Sequence, residues 1–239
     1  MRRLRLSSGL VFGILFALAL IVLLPMRLAL EWVGLDARGL AAREVSGSVW
    51  TGRLSDARFG DLALGDVRAG VSPFQLLAGR ARVNLAGRTP GTDKALVGAL
   101  GVSRRSFGLD DVTAAVLARH AFAPLPVSQL ELDDVSVRFE GTNCVRASGR
   151  VRAMMSGGIG AVLLPAVMSG TARCERNKLL LPLVSQSATE AVNLRIDGDG
   201  AYRAELVVQP SDATSSEQLA LVGFVQGPAG YRLSVDGHF

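Results

Sequence analysis

"DLALGDVRAGV" (61–71) carries its apolar residues two apart: Leu62 and Leu64 on one face, then Val67, Ala69 and Val71 on the other parity. A period of two belongs to a strand, because successive side chains point to opposite faces. The change of phase after Gly65 reads as a kink or turn between two strands. "GRARVNLAG" (79–87) continues the pattern, with Ala81, Val83 and Leu85 set against Arg80, Arg82 and Asn84. This is a half-buried strand with one wet face. Between the two runs, "SPFQLLAG" (72–79) predicts a single helical turn. Ser72 can cap it, Pro73 fits its first position, Gln75 completes a capping box and Gly79 ends it.

The same period governs most of the chain downstream. "QLELDDVSVRF" (129–139) alternates Leu130 and Leu132, changes phase around Asp133 and Asp134, and resumes with Val135, Val137 and Phe139. "CVRASGRVRAM" (144–154) sets Val145, Ala147 and Val151 against Arg146, Ser148, Arg150 and Arg152. Further strands are expected at 169–175, 178–184, 191–196, 201–208, 218–225 and 230–237, with "DGDG" (197–200) as a hairpin turn. "QPSDATSSEQ" (209–218) reads as a loop or short helix. A second short helix is expected over about 111–121, where Val112, Val116 and Leu117 fall near helical spacing and the two Pro of "APLPVS" stop it.

The N-terminus is of another kind. Three Arg in the first five residues precede 21 uncharged residues, Leu6 to Met26. At about 1.5 Å per residue this run can cross a bilayer, and it exceeds the apolar core of a cleaved signal peptide, the rival reading. Basic residues stay on the cytoplasmic side, which sends the rest of the chain across the membrane. Trp32 falls just past the span, where Trp often marks the interface.

Charge argues against nucleic acid. The chain has 26 basic and 21 acidic residues, a net charge of +5, but Arg2, Arg3, Arg5 and Arg27 lie within the first 27 residues, which hold no acid. Without them, 22 basic residues face 21 acidic ones, a net charge of +1. Phosphate recognition leaves a denser footprint. The clusters Arg80, Arg82, Arg88 and Arg146, Arg150, Arg152 read as solvated strand faces.

Catalytic patterns are missing. There is no nucleophile elbow, P-loop or H-E-x-x-H string. The carboxylate pairs Asp110–Asp111 and Asp133–Asp134 would point to opposite faces of a strand and read as turn residues. The two His, His120 and His238, stand beside no nucleophile and supply too few ligands for zinc. The glycines of "MMSGGIGAV" (154–162) read as a turn or bulge. Cys144 and Cys174 form a disulfide if the body is exported to an oxidising compartment; two buried thiols are the alternative.

"VSGSVWTGRLSDARFGDLALGDVRAGVSPFQLLAGRARVNL" (45–85) resembles the type II secretion system protein N family. The likeness rests on Gly47, Trp50 and Gly52, the paired short strands, and Pro73, Leu76, Leu77 and Gly79; "CVRASGRV", "GTARCERNKLLLPLVSQS" and "GYRLSVDGHF" extend it. Ala69 departs from the aromatic residue expected there. The resemblance implies an inner-membrane protein of Gram-negative bacteria with one N-terminal span and a periplasmic body, within the machine that exports folded proteins across the outer membrane. It implies no enzymatic activity. An AsmA-like architecture, whose curved sheet offers an apolar groove to acyl chains, is also suggested.

The expected fold is therefore mainly β: a single N-terminal transmembrane helix followed by a curved antiparallel β-sheet periplasmic body with one or two short helices. The parts are a cytoplasmic tail (1–5), an anchor (6–26), a juxtamembrane segment (27–43) and a β-rich domain (44–239), with two lobes allowed near residue 125. The expected partners are other secretion subunits of the inner membrane or the secretin channel, membrane lipid through the helix, and an acyl chain in the alternative reading. No cofactor, metal or nucleic acid is expected. Trp50, between bend-permitting glycines, is expected to pack across the curved sheet.

Overall fold

The structure is a computed structural model that describes residues 8–33, 39–77, 79–89, 91–118, 122–123, 125–159, 162–209, 219–228 and 230–238. Two helices come first, α1 (Ser8–Val22) and α2 (Met26–Val33). The strands β1 (Leu40–Ala41), β2 (Glu44–Ser48), β3 (Thr51–Phe59) and β4 (Leu62–Val71) lead to the short helix α3 (Pro73–Leu77). Then follow β5 (Ala81–Arg88), β6 (Ala95–Val102), β7 (Ser106–Leu117), β8 (Val127–Glu140) and β9 (Asn143–Met155). After the small hairpin of β10 (Gly158–Ile159) and β11 (Val162–Leu163) come β12 (Val167–Thr171), β13 (Arg173–Glu175), β14 (Lys178–Val184), β15 (Glu190–Ile196), β16 (Ala201–Val208), β17 (Val225–Gly227) and β18 (Gly230–His238).

Apart from that hairpin, these strands form one 16-stranded sheet running β1-β3-β4-β5-β6-β7-β8-β9-β12-β14-β15-β16-β18-β17, with β2 also on β3 and β13 on β14. Every pairing is antiparallel, as the alternating sequence predicts. The hairpin of β5 and β6 is a wedge: beyond its tip β4 and β7 rejoin at Ala63↔Leu117.

The changes of phase seen in the sequence are β-bulges. Asp56, Asp111 and Asp134 adopt φ of 49°, 51° and 49° within β3, β7 and β8, where the register slips by one residue. Each extra residue restores the apolar set to the inner face. In β8 this moves the inner positions from Leu130 and Leu132 to the buried Val135, Val137 and Phe139. Asp is among the few residues that tolerate a left-handed backbone. The bulges of β7 and β8 are locked together: Ser136 Oγ accepts the Asp111 amide (2.9 Å) and donates to its carboxylate (2.9 Å), while Thr113 Oγ1 accepts the Asp134 amide (3.2 Å). The two Asp pairs are thus bulge residues inside strands, not turn residues as expected.

The inner face carries two apolar clusters that share Leu62 and Leu132. One lies over β3, β4 and β7 and includes Met26 of α2; the other spans β8 to β18 and is covered by Phe122, Leu125, Leu164, Leu219 and Phe224. The outer face is laced with cross-strand ion pairs, among them Arg152–Glu131 (3.2 Å), Arg195–Glu205 (3.1 Å) and Arg203–Asp236 (2.6 Å).

Several expectations are corrected. The segment from 111 is no helix: β7 runs on as a strand to Leu117 because β8 pairs along it as far as Leu117↔Gln129, and tertiary pairing overrides a weak helical spacing. Residues 119–121, with His120, lie outside the described residues. The strand expected at 218–225 is helical over 219–221, which buries Leu219 completely, and only 225–227 pair with β18. The strand at 169–175 is split at Ala172, whose amide bonds the Gly149 carbonyl (2.9 Å). Val145 sits at a bulge and is 49% exposed instead of facing inward. No described helix is long and apolar enough to cross a membrane; α1 has 15 residues.

Candidate functional site: the helix–sheet junction at Trp50

The pairs Gly47↔Gly52 and Ser48↔Thr51 leave Val49 and Trp50 as the turn between β2 and β3. Gly47 has φ of 84°, which favours glycine. The turn receives the end of α1. Trp50 Nε1 donates to the Ile21 carbonyl (3.1 Å), Val49 N to the Leu24 carbonyl (3.0 Å), and Pro25 bridges Ser48. The last carbonyls of a helix have no partner within it, so the indole caps α1 from 29 residues away. Val71 N then bonds the Val49 carbonyl (3.0 Å), tying β4 to the same turn.

Beyond Pro25 the chain turns onto the inner face. Met26 is buried, and a Cβ on Gly52 would collide with its thioether. Gly52 lies opposite Ala69, also buried, so Met26 fills the space these two small residues leave. The first turn of α2 is thereby keyed into the core.

Helix α1 has no such cover. All of its residues whose exposure is described are exposed, including Phe12, Leu15, Phe16, Leu20, Ile21 and Val22. An exposed apolar surface of this extent marks an interaction site, for a protein partner or a membrane.

A recess of about 600 Å³ on the outer face is lined by Trp50, Arg53, Arg68, Asn84 and Ala86. A second, of about 610 Å³, lies under Arg82, Asp110 and Arg138. There the Asp110 carboxylate bridges Arg82 (3.5 Å) and Arg138 (3.3 Å). Lys94, at the tip of the β5–β6 wedge, reaches Asp133 (2.6 Å) and Glu131 (3.5 Å) on β8. The Lys94 hydrogen bond holds the Asp133 carboxyl below its ordinary range, and the bond to Asp133 raises Lys94 in turn. Burial pushes Glu190 up, but the hydroxyls of Ser185, Thr189 and Ser187 outweigh it and leave the group lowered. Among the described residues no three His, Cys, Asp or Glu stand together as metal ligands.

A family model for type II secretion system (T2SS), protein N matches residues 38–234. The chain belongs to the type II secretion system protein N family. No curated protein and no solved structure matches it. The match begins beyond α1 and α2 and runs through the sheet into β18, so it rests on the β body of this chain.

Within that body the motif residues separate into two places. Gly47, Trp50 and Gly52 meet at the helix–sheet junction, whereas Pro73, Leu76 and Leu77 form α3 and Gly79 follows it with φ of 72°. The two groups are neighbours through the Val71–Val49 bond. Cys144 of β9 and Cys174 of β13 form a disulfide, with a Cα–Cα distance of 5.5 Å. It fixes the β13–β14 hairpin, whose turn residues Arg176 and Asn177 both have positive φ, against β9. The partnership of Trp50 with Ile21 was not readable from the sequence. The signal was present in part: a Trp in a hairpin turn, where a packing role alone gives no reason for an indole N–H.

Proposed function

We propose that the chain is a non-catalytic accessory subunit of the type II secretion system. Its N-terminal segment is held as a single span in the inner membrane with the N-terminus cytoplasmic, and its β body stands in the periplasm. The observation that carries this reading is α1, apolar on every described side, exposed, and bonded at its C-terminal end to Trp50. The disulfide fits an oxidising compartment. The continuous sheet, with an ionic outer face and no assembled catalytic group among the described residues, suits a scaffold that contacts other inner-membrane subunits or the secretin channel. Photo-crosslinkers placed at Arg82 and Arg150 on the outer face of the full chain in its native host test this. Adducts to secretion subunits are expected; recovery of the protein from the membrane by alkaline carbonate, or adducts to no secretion subunit, would sink it.

A second reading, an AsmA-like acyl-chain carrier, has one observation in its favour. On the inner face Leu100, Val102 and Phe107 remain 37%, 49% and 39% exposed. Native mass spectrometry of the full chain decides it: a retained phospholipid lost on Val102→Asp supports the reading, and repeated absence of lipid removes it.

A further inference from the structure

On the outer face of β3 and β4, Arg53 and Arg68 stand directly opposite each other. Both are exposed, and like charges in this position repel. Elsewhere the sheet answers such pairs with acids. Arg195↔Arg203 is relieved by Glu205 and Asp236, and Arg138↔Arg146 by Asp110. Among the described residues, no acid forms an ion pair with Arg53 or Arg68. Asp66, on the same face two residues before Arg68, accepts the Asp56 amide instead (3.1 Å).

This uncompensated pair lines the recess of about 600 Å³ together with Trp50, Asn84 and Ala86. Ala86 is a small residue in its lining, Asn84 adds a hydrogen-bonding group, and Trp50, whose carbonyl packs where a Gly70 side chain would stand, lines it as well. We infer that the recess takes the phosphate headgroup of an anionic phospholipid from the leaflet that α1 leaves. Two guanidiniums matched to one phosphate would replace the missing acid.

Two observations favour a bilayer lipid as the source of the phosphate. Trp50, which lines the recess, caps the end of α1 and so sets the recess at the level where that helix meets the body. Helix α3 begins two residues after Val71, itself bonded to Val49 of the same turn, and projects Phe74 (82% exposed) and Leu76 (43% exposed) into solvent. Exposed apolar residues beside a cationic recess form the pattern of an interfacial contact. The inference rests on the reading of α1 as a membrane span.

The test uses the full-length protein in nanodiscs of mixed phosphatidylcholine and phosphatidylglycerol, with retained lipid read by native mass spectrometry. Wild type is expected to enrich phosphatidylglycerol, and Arg68→Glu to lower that enrichment on the order of tenfold, given the strength of a single basic side chain at an anionic surface. Because the introduced carboxylate would face Arg53, the thermal midpoint of this variant should hold or rise, which loss of fold could not produce. Arg53→Gln serves as the second variant, with a smaller loss of enrichment. Equal lipid preference in wild type and both variants overturns the inference. So does inorganic phosphate that displaces the lipid at equal concentration, which would make the recess a general anion site. Carbonate extraction of the same sample separates the two failures: a protein that resists extraction yet shows no preference sinks the headgroup site alone.

Discussion

Trp50 donates its indole N–H to the main-chain carbonyl of Ile21 at 3.1 Å, so the turn between β2 and β3 closes the end of α1. A helix exposed on every described side is thereby attached to the sheet by directional bonds and by Met26 behind them. Trp50→Phe keeps the ring and deletes the bond. It should cost about 1 kcal/mol in denaturant unfolding and increase protease cleavage around residues 22–25, whereas cleavage unchanged from wild type would show that the bond does not order the junction.

The contact behind that bond predicts a coupling. Gly52→Leu would drive Met26 out of the core and is expected to cost about 1 to 3 kcal/mol. Met26→Ala opens the same space and should be destabilising on its own. Combined, the two should cost less than the sum of the singles, because the new side chain occupies the vacated volume. Strict additivity in a double-mutant cycle would contradict the packing described.

The disulfide closes a loop of 30 residues. In the chain-entropy view the Cys144→Ala, Cys174→Ala double variant should lose about 3 to 4 kcal/mol. Urea midpoints with and without reductant read this on the wild-type chain as well.

The Lys94–Asp133 pair predicts stability at both ends of the pH range. Asp133 lies below its ordinary value of 3.8, chiefly through the Lys94 hydrogen bond. Its contribution is complete above 3.8 and is lost as pH falls through the lower folded value. Lys94 lies above its ordinary 10.5, chiefly through the same bond. Its contribution is complete below 10.5 and is lost as pH rises through the folded value. Asp133→Asn should flatten the stability profile of the acid limb. An unchanged limb would assign it to other carboxylates.

At the bulges, conformation is expected to matter more than charge. Asp134→Gly keeps the left-handed backbone and the amide bond to Thr113 and forfeits only the carboxylate that accepts from the Thr113 hydroxyl (3.4 Å), whereas Asp134→Val must hold that backbone against its own Cβ. The valine variant should be the less stable by about 1 to 2 kcal/mol, as measured by thermal unfolding of the two side by side.

The sequence by itself determined that the body is an antiparallel sheet, where most of its strands lie, that α3 breaks β4 from β5, and that the N-terminus is apolar. These follow from residue spacing, because a period of two and a Ser-Pro start are local properties that any packing must respect. Even the bulge in β8 was legible as a change of phase at Asp133 and Asp134. The fate of 111–121 was not, since a strand with Val112, Val116 and Leu117 is distinguished from a short helix only by the presence of β8 beside it. Only the tertiary structure decided what Trp50 bonds, that Met26 rests on Gly52, and that Arg53 and Arg68 face each other without an acid. Those relationships join residues 15 to 29 positions apart. No local pattern encodes them, because strand register and the approach of α1 and α2 bring together side chains that stand far apart along the chain.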